Sequence, residues 1–357
     1  MKIGILTHQY INNYGAFLQA WALRETIEEL FPDAEVQIIN YVNWKHYLIN
    51  VGGWLRIYKG SESRKEWFEK IQVPGTFAKE RRRNMVLSPL CLDAHQINKL
   101  GFDCIIVGSD EIWNYRDAKA KASIKFGVGL ACENLIAYAP STGKTTIEDE
   151  IPEYVRTGIK KFKKLSARDE QTENIVKKIT GITPERVLDP AFLAEFPRAE
   201  LQAKKKPYIL FYYCENLPSN VLSQIFLYAE NHDLAVYGAG ECDKRYSDIT
   251  VNLTPFEWVE MFRNAEFVFT GTFHGVVFSI LNQCPFKVYL SKESRIKKVT
   301  DLLNELGITN RYIDTSFEFD FEHMRTEIDY AEIYKIVEQK RQRSRQYLKE
   351  TIGSILP

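Results

Sequence analysis

The chain has 357 residues, with 47 basic and 47 acidic side chains, and 45% of its residues are hydrophobic. This length predicts two domains that each bury a core, and the composition excludes long disorder and collagen-like structure. A protein dedicated to nucleic-acid binding normally carries a basic surplus, so the zero net charge leads us to expect no nucleic-acid partner.

The six cysteines are scattered, and no CxxC or Cys/His cluster occurs among them. We therefore predict neither a zinc site nor a disulfide framework, and no other metal site. No stretch of 18 apolar residues is present, so no transmembrane helix is expected. The start, MKIGILTH, lacks the layout of a signal peptide, which favours a cytoplasmic protein. Aromatic residues make up 13% of the chain and can serve as platforms for sugar rings as well as core residues.

The first half of the chain alternates strands and helices as in a parallel α/β sheet. Short apolar runs predict the strands, and segments with one apolar face predict the helices. The predicted strands are 2–6, 36–41, 104–107, 136–139, 165–167 and 186–188, and the predicted helices are 14–30, 151–164 and 170–179.

Residues 44–100 interrupt this alternation with aromatic side chains among basic ones. Between residues 59 and 83 there are eight Lys or Arg and four Glu, a local surplus of four positive charges. We interpret the segment as an inserted helical lid or surface arm. The alternative is an ordinary solvated pair of helices.

Residues 194–207 are polar, with three consecutive lysines and two prolines, and predict a linker. A second α/β series follows, in which Thr254 and Pro255 are typical of a helix start. Its predicted strands are 208–213, 234–237, 267–270 and 286–289, and its helices are 220–231, a helix from 255, 276–281, 295–306 and 332–348. We expect Rossmann-like domains at 1–195, with the insertion 44–100, and at 208–325. The C-terminal helix within 326–357 would fold back on the N-terminal domain.

Polar motifs follow several predicted strands. In open parallel sheets, ligands bind beyond the carboxyl ends of the strands, so these motifs are candidates for one site. After strand 104–107, Asp110 is a candidate general base for a sugar hydroxyl, next to Ser109, and Trp113 is a candidate platform for a pyranose ring. The alternative is a capping aspartate beside a core tryptophan.

The turn before helix 14–30 contains Tyr14 and Gly15. The backbone N–H groups at a helix start can bind an anion or a sugar hydroxyl, and small residues let a ligand approach. Gln19, one turn later, is a candidate hydrogen-bonding residue. The alternative is a helix cap packed under the sheet.

Arg168 follows the short strand 165–167. A guanidinium binds a carboxylate or phosphate bidentately and stays charged at all relevant pH values. The alternative is an internal ion pair of Arg168 with Asp169 or Asp189.

His274 is expected between a strand and a helix. Its imidazole can donate to a phosphate or act as an acid near neutral pH, and Gly275 beside it favours close approach of a ligand. The alternative is a structural hydrogen-bond donor. Farther along, Arg295 and Lys297 belong to a second positive cluster. The alternative is a solvated basic helix start.

The order of six segments resembles the polysaccharide pyruvyl transferase family over about residues 2–315. The segments are NYGAFLQAWAL, IIVGSDEIWN, LSARDEQT, VLDPAFL, FTGTFHGVVFSI and SRIKKVTDLL. The resemblance implies an α/β fold with two Rossmann-like domains in a GT-B-like arrangement and an interdomain cleft. It also implies transfer of pyruvate from phosphoenolpyruvate to a sugar as a cyclic ketal, in the synthesis of a capsule or exopolysaccharide.

Under this resemblance the family's arginine corresponds to Arg168 and its histidine to His274. Its later basic residue corresponds to Arg295, in preference to Lys297. Thr272 stands where many members have Ser or Arg. The resulting assignment has His274 and Asp110 as catalytic residues, with Arg168, Arg295, Lys297, Thr272 and Gly275 binding the donor, and Tyr14, Gly15, Gln19, Ser109 and Trp113 binding the acceptor.

The resemblance implies no cofactor beyond phosphoenolpyruvate as co-substrate, with a hexose-containing glycan or lipid-linked oligosaccharide as acceptor. The arm at 44–83 would then contact the bilayer, which puts the protein at the inner face of the cell membrane. Two other functions fit the same residues. One is a GT-B glycosyltransferase that uses a nucleotide-sugar, and the other is a non-catalytic sugar-binding relative.

Overall fold

The computed structural model describes residues 1–55, 63–118, 121–201, 206–214, 217–290, 293–313 and 319–355, without the side chains of 293–295. The chain divides into two compact units. Unit 1 comprises Met1–Gly53, Lys79–Glu195 and Val337–Pro357, and unit 2 comprises Trp54–Ala78 and Phe196–Ile336. Each unit contains its own parallel sheet.

Unit 1 is built on strands that carry near-continuous apolar runs, as expected of parallel strands buried on both faces. Its strands are β1 (Lys2–Leu6), β2 (Glu35–Ile38), β3 (Cys104–Val107), β4 (Leu135–Ala137), β5 (Ser166–Ala167) and β6 (Glu185–Arg186). The helices up to β6 are α1 (Tyr14–Leu30), α2 (Trp44–Leu55), α3 (Arg64–Asn84), α4 (Ala94–Asn98), α5 (Glu153–Ile159) and α6 (Glu170–Thr180). The unit boundaries fall within α2 and within α3.

The main sheet of unit 1 has the strand order β2-β1-β3-β4, and β5 and β6 form a short parallel pair. In the register of the sheet, Ile3 is opposite Val36 on one side and Cys104 on the other. A bridge between Ile136 and Lys164 connects β4 to the chain just before β5. Because all these strands run in parallel, their carboxyl ends lie along one edge of the unit.

Unit 2 has a five-stranded parallel sheet with the order β11-β10-β9-β7-β8. Its strands are β7 (Tyr208–Tyr212), β8 (Ala235–Gly238), β9 (Phe267–Thr270), β10 (Phe286–Tyr289) and β11 (Tyr312–Ile313). The helices from β7 onward are α7 (Ser219–Asn231), α8 (Pro255–Arg263), α9 (Phe273–Leu281), α10 (Glu293–Glu305), α11 (Phe321–Thr326) and α12 (Tyr330–Gly353). Thr254 and Glu257 form a capping box at the start of α8, with Pro255 as its first residue, so the predicted helix start is confirmed.

The last helix, α12, makes several contacts with other parts of unit 1 through its C-terminal half. The backbone N–H of Leu188 donates to Oγ of Ser344 at 2.9 Å, and the hydroxyl of Tyr347 donates to the carbonyl of Ala137 at 3.1 Å. These bonds attach the end of the chain to the strands of unit 1.

Three features of the structure differ most from the sequence-based predictions. Residues 54–78 group with unit 2, whereas the whole segment 44–100 was expected as an insertion in the N-terminal domain. The helix predicted at 151–164 spans only Glu153–Ile159, because the chain turns at Lys160 and enters β5 soon after. Helix α9 begins at Phe273, so His274 lies inside the first helical turn and not before the helix.

Within the described ranges, no helix is both long enough and apolar enough to cross a membrane.

Candidate functional site

The first group of candidate residues lies in unit 1, at the carboxyl ends of β3 and β5. The loop after β3 carries Ser109 and Asp110, and Arg168 follows β5 directly. A backbone bridge between Asp110 and Pro140, and a 2.7 Å hydrogen bond from the Ser141 N–H to the Asp110 carbonyl, hold the loop against the chain after β4. The fold of unit 1 therefore brings together motifs that are far apart in the sequence.

The backbone of this loop explains its glycine. Gly108 has φ +138°, and a Cβ atom there would lie 1.9 Å from the carbonyl oxygen of Tyr138, so a larger residue does not fit. Asp110 has φ 68° and ψ −169°, a sparsely populated conformation for a residue with a side chain. Residues with a strained backbone cluster at functional sites, so this conformation supports a functional role for Asp110.

Arg168 forms the centre of a charged network. Its Nη1 donates to Oδ2 of Asp189 at 2.6 Å, and its Nη2 lies 3.4 Å from Oδ1 of Asp110. Burial opposes the charge of Arg168, but the carboxylates of Asp189 and Asp110 outweigh it, so the pKa of Arg168 is raised. The side chain of Arg168 is 3% exposed and that of Asp110 is 21% exposed. Asp110 is thus the member of this network that solvent reaches.

This network is the internal ion pair that was the alternative for Arg168. Its guanidinium is engaged by two carboxylates and does not present its full charge to a donor. The contacts indicate that Arg168 orients Asp110, while a direct contact of Arg168 with the donor stays a prediction.

Three residues expected to contact an acceptor are fully buried. The hydroxyl of Ser109 lies 2.9 Å from Oε1 of Gln19, and Nε2 of Gln19 donates to Oγ1 of Thr7 at 3.0 Å. The indole N–H of Trp113 donates to the carbonyl of Lys125 at 2.9 Å. Neither Ser109, Gln19 nor Trp113 has measurable solvent exposure.

The ring of Trp113 stacks on Phe126 at 6.2 Å between centroids and meets the edge of Phe162. Trp113 is therefore a core residue and does not offer the sugar platform that the sequence suggested. Ser109 and Gln19 likewise hold the β1 and β3 loops together, because an acceptor cannot reach side chains without exposed surface.

Tyr14 and Gly15 are buried in the first turn of α1, and the side chain of Asn13 caps this helix by accepting from the Ala16 N–H at 3.0 Å. The capped helix start was the alternative stated for this motif. In this structure Tyr14 and Gly15 are therefore part of a buried, capped helix start, and their contact with an acceptor stays a prediction.

Sequence reasoning missed a second charged group beside Asp110. Lys125 and His8 are 1% and 4% exposed, and Nζ of Lys125 lies 3.4 Å from Nδ1 of His8. Both side chains interact electrostatically with Asp110. His8 follows β1 as Asp110 follows β3, so the strand-end rule alone could have identified it.

The second group of candidate residues lies in unit 2, where β9 leads into α9. Thr272 is the N-cap of α9, and its Oγ1 accepts a hydrogen bond from the Gly275 N–H at 2.9 Å. His274 is the second residue of the helix, and its ring meets the Phe273 ring edge-on at 5.5 Å. The positive end of the helix dipole and the His274 imidazole therefore lie together.

Glycines allow this strand and helix to pack closely. A Cβ on Gly275 would lie 1.9 Å from Oγ1 of Thr270, and a Cβ on Gly271 would lie 2.2 Å from the carbonyl oxygen of Tyr213. Gly275 is buried and its N–H already donates to Thr272. In this structure Gly275 contributes to packing and capping, and its contact with a donor stays a prediction.

The remaining predicted donor residues lie on α10. Lys297 is exposed on this helix. The side chain of Arg295 lies outside the described residues. In the described part of the chain, no group of three or more His, Cys, Asp or Glu side chains is arranged to hold a metal ion.

A comparison with solved structures finds matches that cover most of the chain. An inferred UDP-N-acetylglucosamine 2-epimerase from Listeria monocytogenes has a TM-score of 0.50 at 12% identity, covering 96% of this chain and 90% of that one. A UDP-GlcNAc 2-epimerase from Neisseria meningitidis has a TM-score of 0.47 at 9% identity, covering 99% and 100%. The ADP-heptose heptosyltransferase II of E. coli has a TM-score of 0.41 at 9% identity, covering 95% and 99%. At such identities the first likeness shows the fold alone, and it confirms the expected GT-B-like α/β fold.

No curated protein matches the sequence. The family model for polysaccharide pyruvyl transferase matches residues 13–289, a span that includes Asp110, Arg168 and His274. This chain belongs to the polysaccharide pyruvyl transferase family.

Proposed function

We propose that this protein transfers pyruvate from phosphoenolpyruvate to two hydroxyl groups of a hexose, in a polysaccharide or its lipid-linked precursor, and forms a cyclic ketal. The observation that carries the proposal is membership of the family across residues 13–289. The local geometry of each unit supports it, because unit 2 offers groups suited to an anionic donor and unit 1 offers a carboxylate suited to a hydroxyl acceptor.

The donor carries a phosphate and a carboxylate. The start of α9 is suited to a phosphate, because backbone N–H groups and the helix dipole both favour an anion there. The Thr272 side chain caps the first turn of α9, and His274 is the second residue of this helix. We assign His274 as the acid that protonates the methylene carbon of the donor.

The reaction balances in four steps. A proton adds to C3 of phosphoenolpyruvate and leaves a cationic C2. An acceptor hydroxyl forms a C–O bond to C2 and loses its proton. The bond between C2 and the phosphate oxygen then breaks, and phosphate leaves. A second hydroxyl attacks C2, loses its proton and closes the ketal. The two hydroxyl protons balance the one taken up by C3 and the one carried away by phosphate.

Asp110 is suited to accept a proton from the attacking hydroxyl. Among Ser109, Asp110 and Trp113, only Asp110 has a partly exposed side chain. Its contact with Arg168 fixes its orientation, since Asp189 in turn holds the guanidinium. The proposed chemistry uses no nucleotide and no redox cofactor, because the enol phosphate itself supplies the activated leaving group.

The test is phosphate release by the purified protein, with phosphoenolpyruvate and a panel of hexosides. We expect phosphate release that requires both substrates, and no turnover of nucleotide-sugars. Turnover of a nucleotide-sugar in place of phosphoenolpyruvate would instead identify a glycosyltransferase. Binding of glycans without turnover of either donor would identify a non-catalytic relative.

We further propose that the protein contacts an anionic membrane surface through α2, where a lipid-linked acceptor would be found. Trp44, Leu48 and Leu55 are 49%, 63% and 56% exposed, and their spacing puts them on one helix face. Lys45 is exposed beside them and favours an anionic surface.

Sedimentation with anionic liposomes tests this contact. The double variant W44S/L48S should bind the liposomes several-fold more weakly than the wild type. The matched control is Ile182→Ser, which replaces an apolar residue of unit 1 that is 62% exposed outside α2 and should change nothing. Failure of the wild type to sediment, or equal binding by all three proteins, would contradict the proposed contact.

A further inference from the structure

Unit 1 contains a pair of buried ionisable groups with no part in the chemistry described so far. Lys125 lies on a 3₁₀ helix at Ser123–Phe126, and His8 lies just after β1. Their side-chain nitrogens are 3.4 Å apart, and the two positions are separated by 117 residues in the chain. Two nearly inaccessible basic groups in contact are an unusual arrangement, because burying a charge is costly unless it is compensated.

The surroundings of the pair connect it to the proposed acceptor side. Among the described residues, the carboxylates of Asp117 and Asp110 both stabilise the charged form of Lys125. The groups that act electrostatically on His8 are Lys125, Asp110 and His46, and the imidazole also hydrogen-bonds the backbone of Glu111. Asp110 is thus common to both members of the pair, and it also contacts Arg168 at 3.4 Å.

The protonation states follow from burial. Burial lowers the pKa of Lys125 to about 7, although Asp117 and Asp110 act in the opposite direction. Burial, followed by the charge of Lys125, lowers the pKa of His8 to about 3. At neutral pH His8 is therefore uncharged and can accept a hydrogen bond from Lys125, which itself gains or loses its proton in this range.

We propose that Lys125 is a positioning residue for the acceptor half of the reaction, whose charge controls how strongly Asp110 attracts the proton of the attacking hydroxyl. This proposal rests on the function proposed above. When Lys125 is protonated, it adds a positive charge near Asp110 beside that of Arg168, and this added charge is lost when Lys125 is neutral. A carboxylate with fewer cationic neighbours is the stronger base, so proton removal from the acceptor becomes easier as Lys125 loses its charge.

The experiment compares the pH dependence of phosphate release in the wild type and in Lys125→Met, with Lys121→Met as the control. Methionine keeps the length of the lysine stem without its charge, and Lys121 is an exposed lysine four positions earlier. The wild type should gain activity as the pH rises through about 7. In Lys125→Met, activity relative to the wild type should be at least ~3-fold higher at about pH 6 than at about pH 9. Lys121→Met should follow the wild type throughout.

Parallel profiles for Lys125→Met and the wild type would overturn the proposal, because a purely structural lysine changes the level of activity and not its pH dependence. Lys125→Gln provides a second neutral variant if the methionine protein does not fold. A profile of Lys125→Gln that parallels the wild type would overturn the proposal equally.

A measurement without substrate separates this proposal from the proposed function. The free energy of unfolding of the wild type should increase relative to that of Lys125→Met as the pH rises from about 7 to about 10. In this range the unfolded lysine is still losing its proton, while the folded lysine is already neutral. If the difference in unfolding free energy does not change with pH, Lys125 does not titrate in this range, whether or not the enzyme is active. If no acceptor supports phosphate release by the wild type, the proposed function fails and the positioning role fails with it, while the unfolding data still decide whether Lys125 is buried as a titrating amine.

Discussion

Arg168 and Asp189 form an ion pair without access to solvent. Nη1 of Arg168 lies 2.6 Å from Oδ2 of Asp189, and their side chains are 3% and 0% exposed. The other oxygen of Asp189 accepts from the Ala191 N–H at 3.0 Å. Asp189 therefore compensates a buried guanidinium that also contacts Asp110, so a change at position 189 should affect both stability and the orientation of Asp110.

Removing the charge of Asp189 should destabilise unit 1 strongly. In Asp189→Asn the guanidinium of Arg168 loses its main partner, and breaking a buried pair in this way costs ~3–5 kcal/mol. Denaturant unfolding measures the change. The matched control is Glu185→Gln, which breaks the pair with Arg343 at the surface, where the two side chains are 34% and 67% exposed. The control should lose less than ~1 kcal/mol, and equal losses in the two variants would contradict the role assigned to Asp189.

The buried, neutral His8 should make the protein less stable in acid. Its pKa is about 3 in the folded protein, against 6.5 in an exposed histidine, because burial and Lys125 oppose its charge. The unfolded chain therefore takes up a proton first as the pH falls, and the free energy of unfolding decreases between about pH 6.5 and 3. In His8→Gln this decrease should be less steep. His323→Gln, at an exposed histidine, should retain the slope of the wild type, and an unchanged slope in His8→Gln would exclude a buried neutral imidazole.

His274 should be essential for turnover and not for folding. Replacing it by alanine should reduce phosphate release by at least ~100-fold, since a general acid or base contributes ~10²–10⁴-fold. The variant should keep the thermal stability of the wild type, as judged by its melting curve. His323→Ala, in the same unit, is the control and should keep full activity. Near-normal turnover by His274→Ala would eliminate the acid role.

Gly275 should be irreplaceable for steric reasons. In Gly275→Ala the added methyl group would meet Oγ1 of Thr270 at 1.9 Å and its Cβ at 2.7 Å, so α9 must shift away from β9. Overpacking of this kind costs ~1–3 kcal/mol, and the displaced helix should also lower the activity. Gly75→Ala adds a methyl group that meets no atom within 4 Å, and its thermal stability should be unchanged or higher. A Gly275→Ala protein as stable as the wild type would contradict the close packing described here.

The sequence predicted those elements that have a local signal. The strands at 2–6, 104–107, 267–270 and 286–289 have the predicted bounds, because each is a short apolar run between polar residues. The start of α8 was predictable from Thr254 and Pro255, whose roles at a helix start are local. The helix at 151–164 was predicted too long, because its basic pattern continues past the turn at Lys160.

The candidate site was less predictable, because its contacts are tertiary. Asp110 and Arg168 were identified from their places at strand ends, and the structure brings them within 3.4 Å of each other. The burial of Trp113 could not be read from the sequence, since an aromatic residue after a strand fits a core as well as a sugar platform. The contact of His8 with Lys125 joins a loop and a 3₁₀ helix that share no motif, so no local sequence pattern predicts it.

The fate of the donor carbon distinguishes pyruvate transfer from sugar transfer. Phosphoenolpyruvate labelled with carbon-13 at C2 and C3 is incubated with the protein and an acceptor glycan, and the purified glycan is then examined by NMR. We expect the label in the glycan as a quaternary ketal carbon bearing a methyl group, with one phosphate released for each pyruvate transferred. An unlabelled glycan that has instead gained a sugar from a nucleotide-sugar donor would rule out pyruvate transfer by this protein.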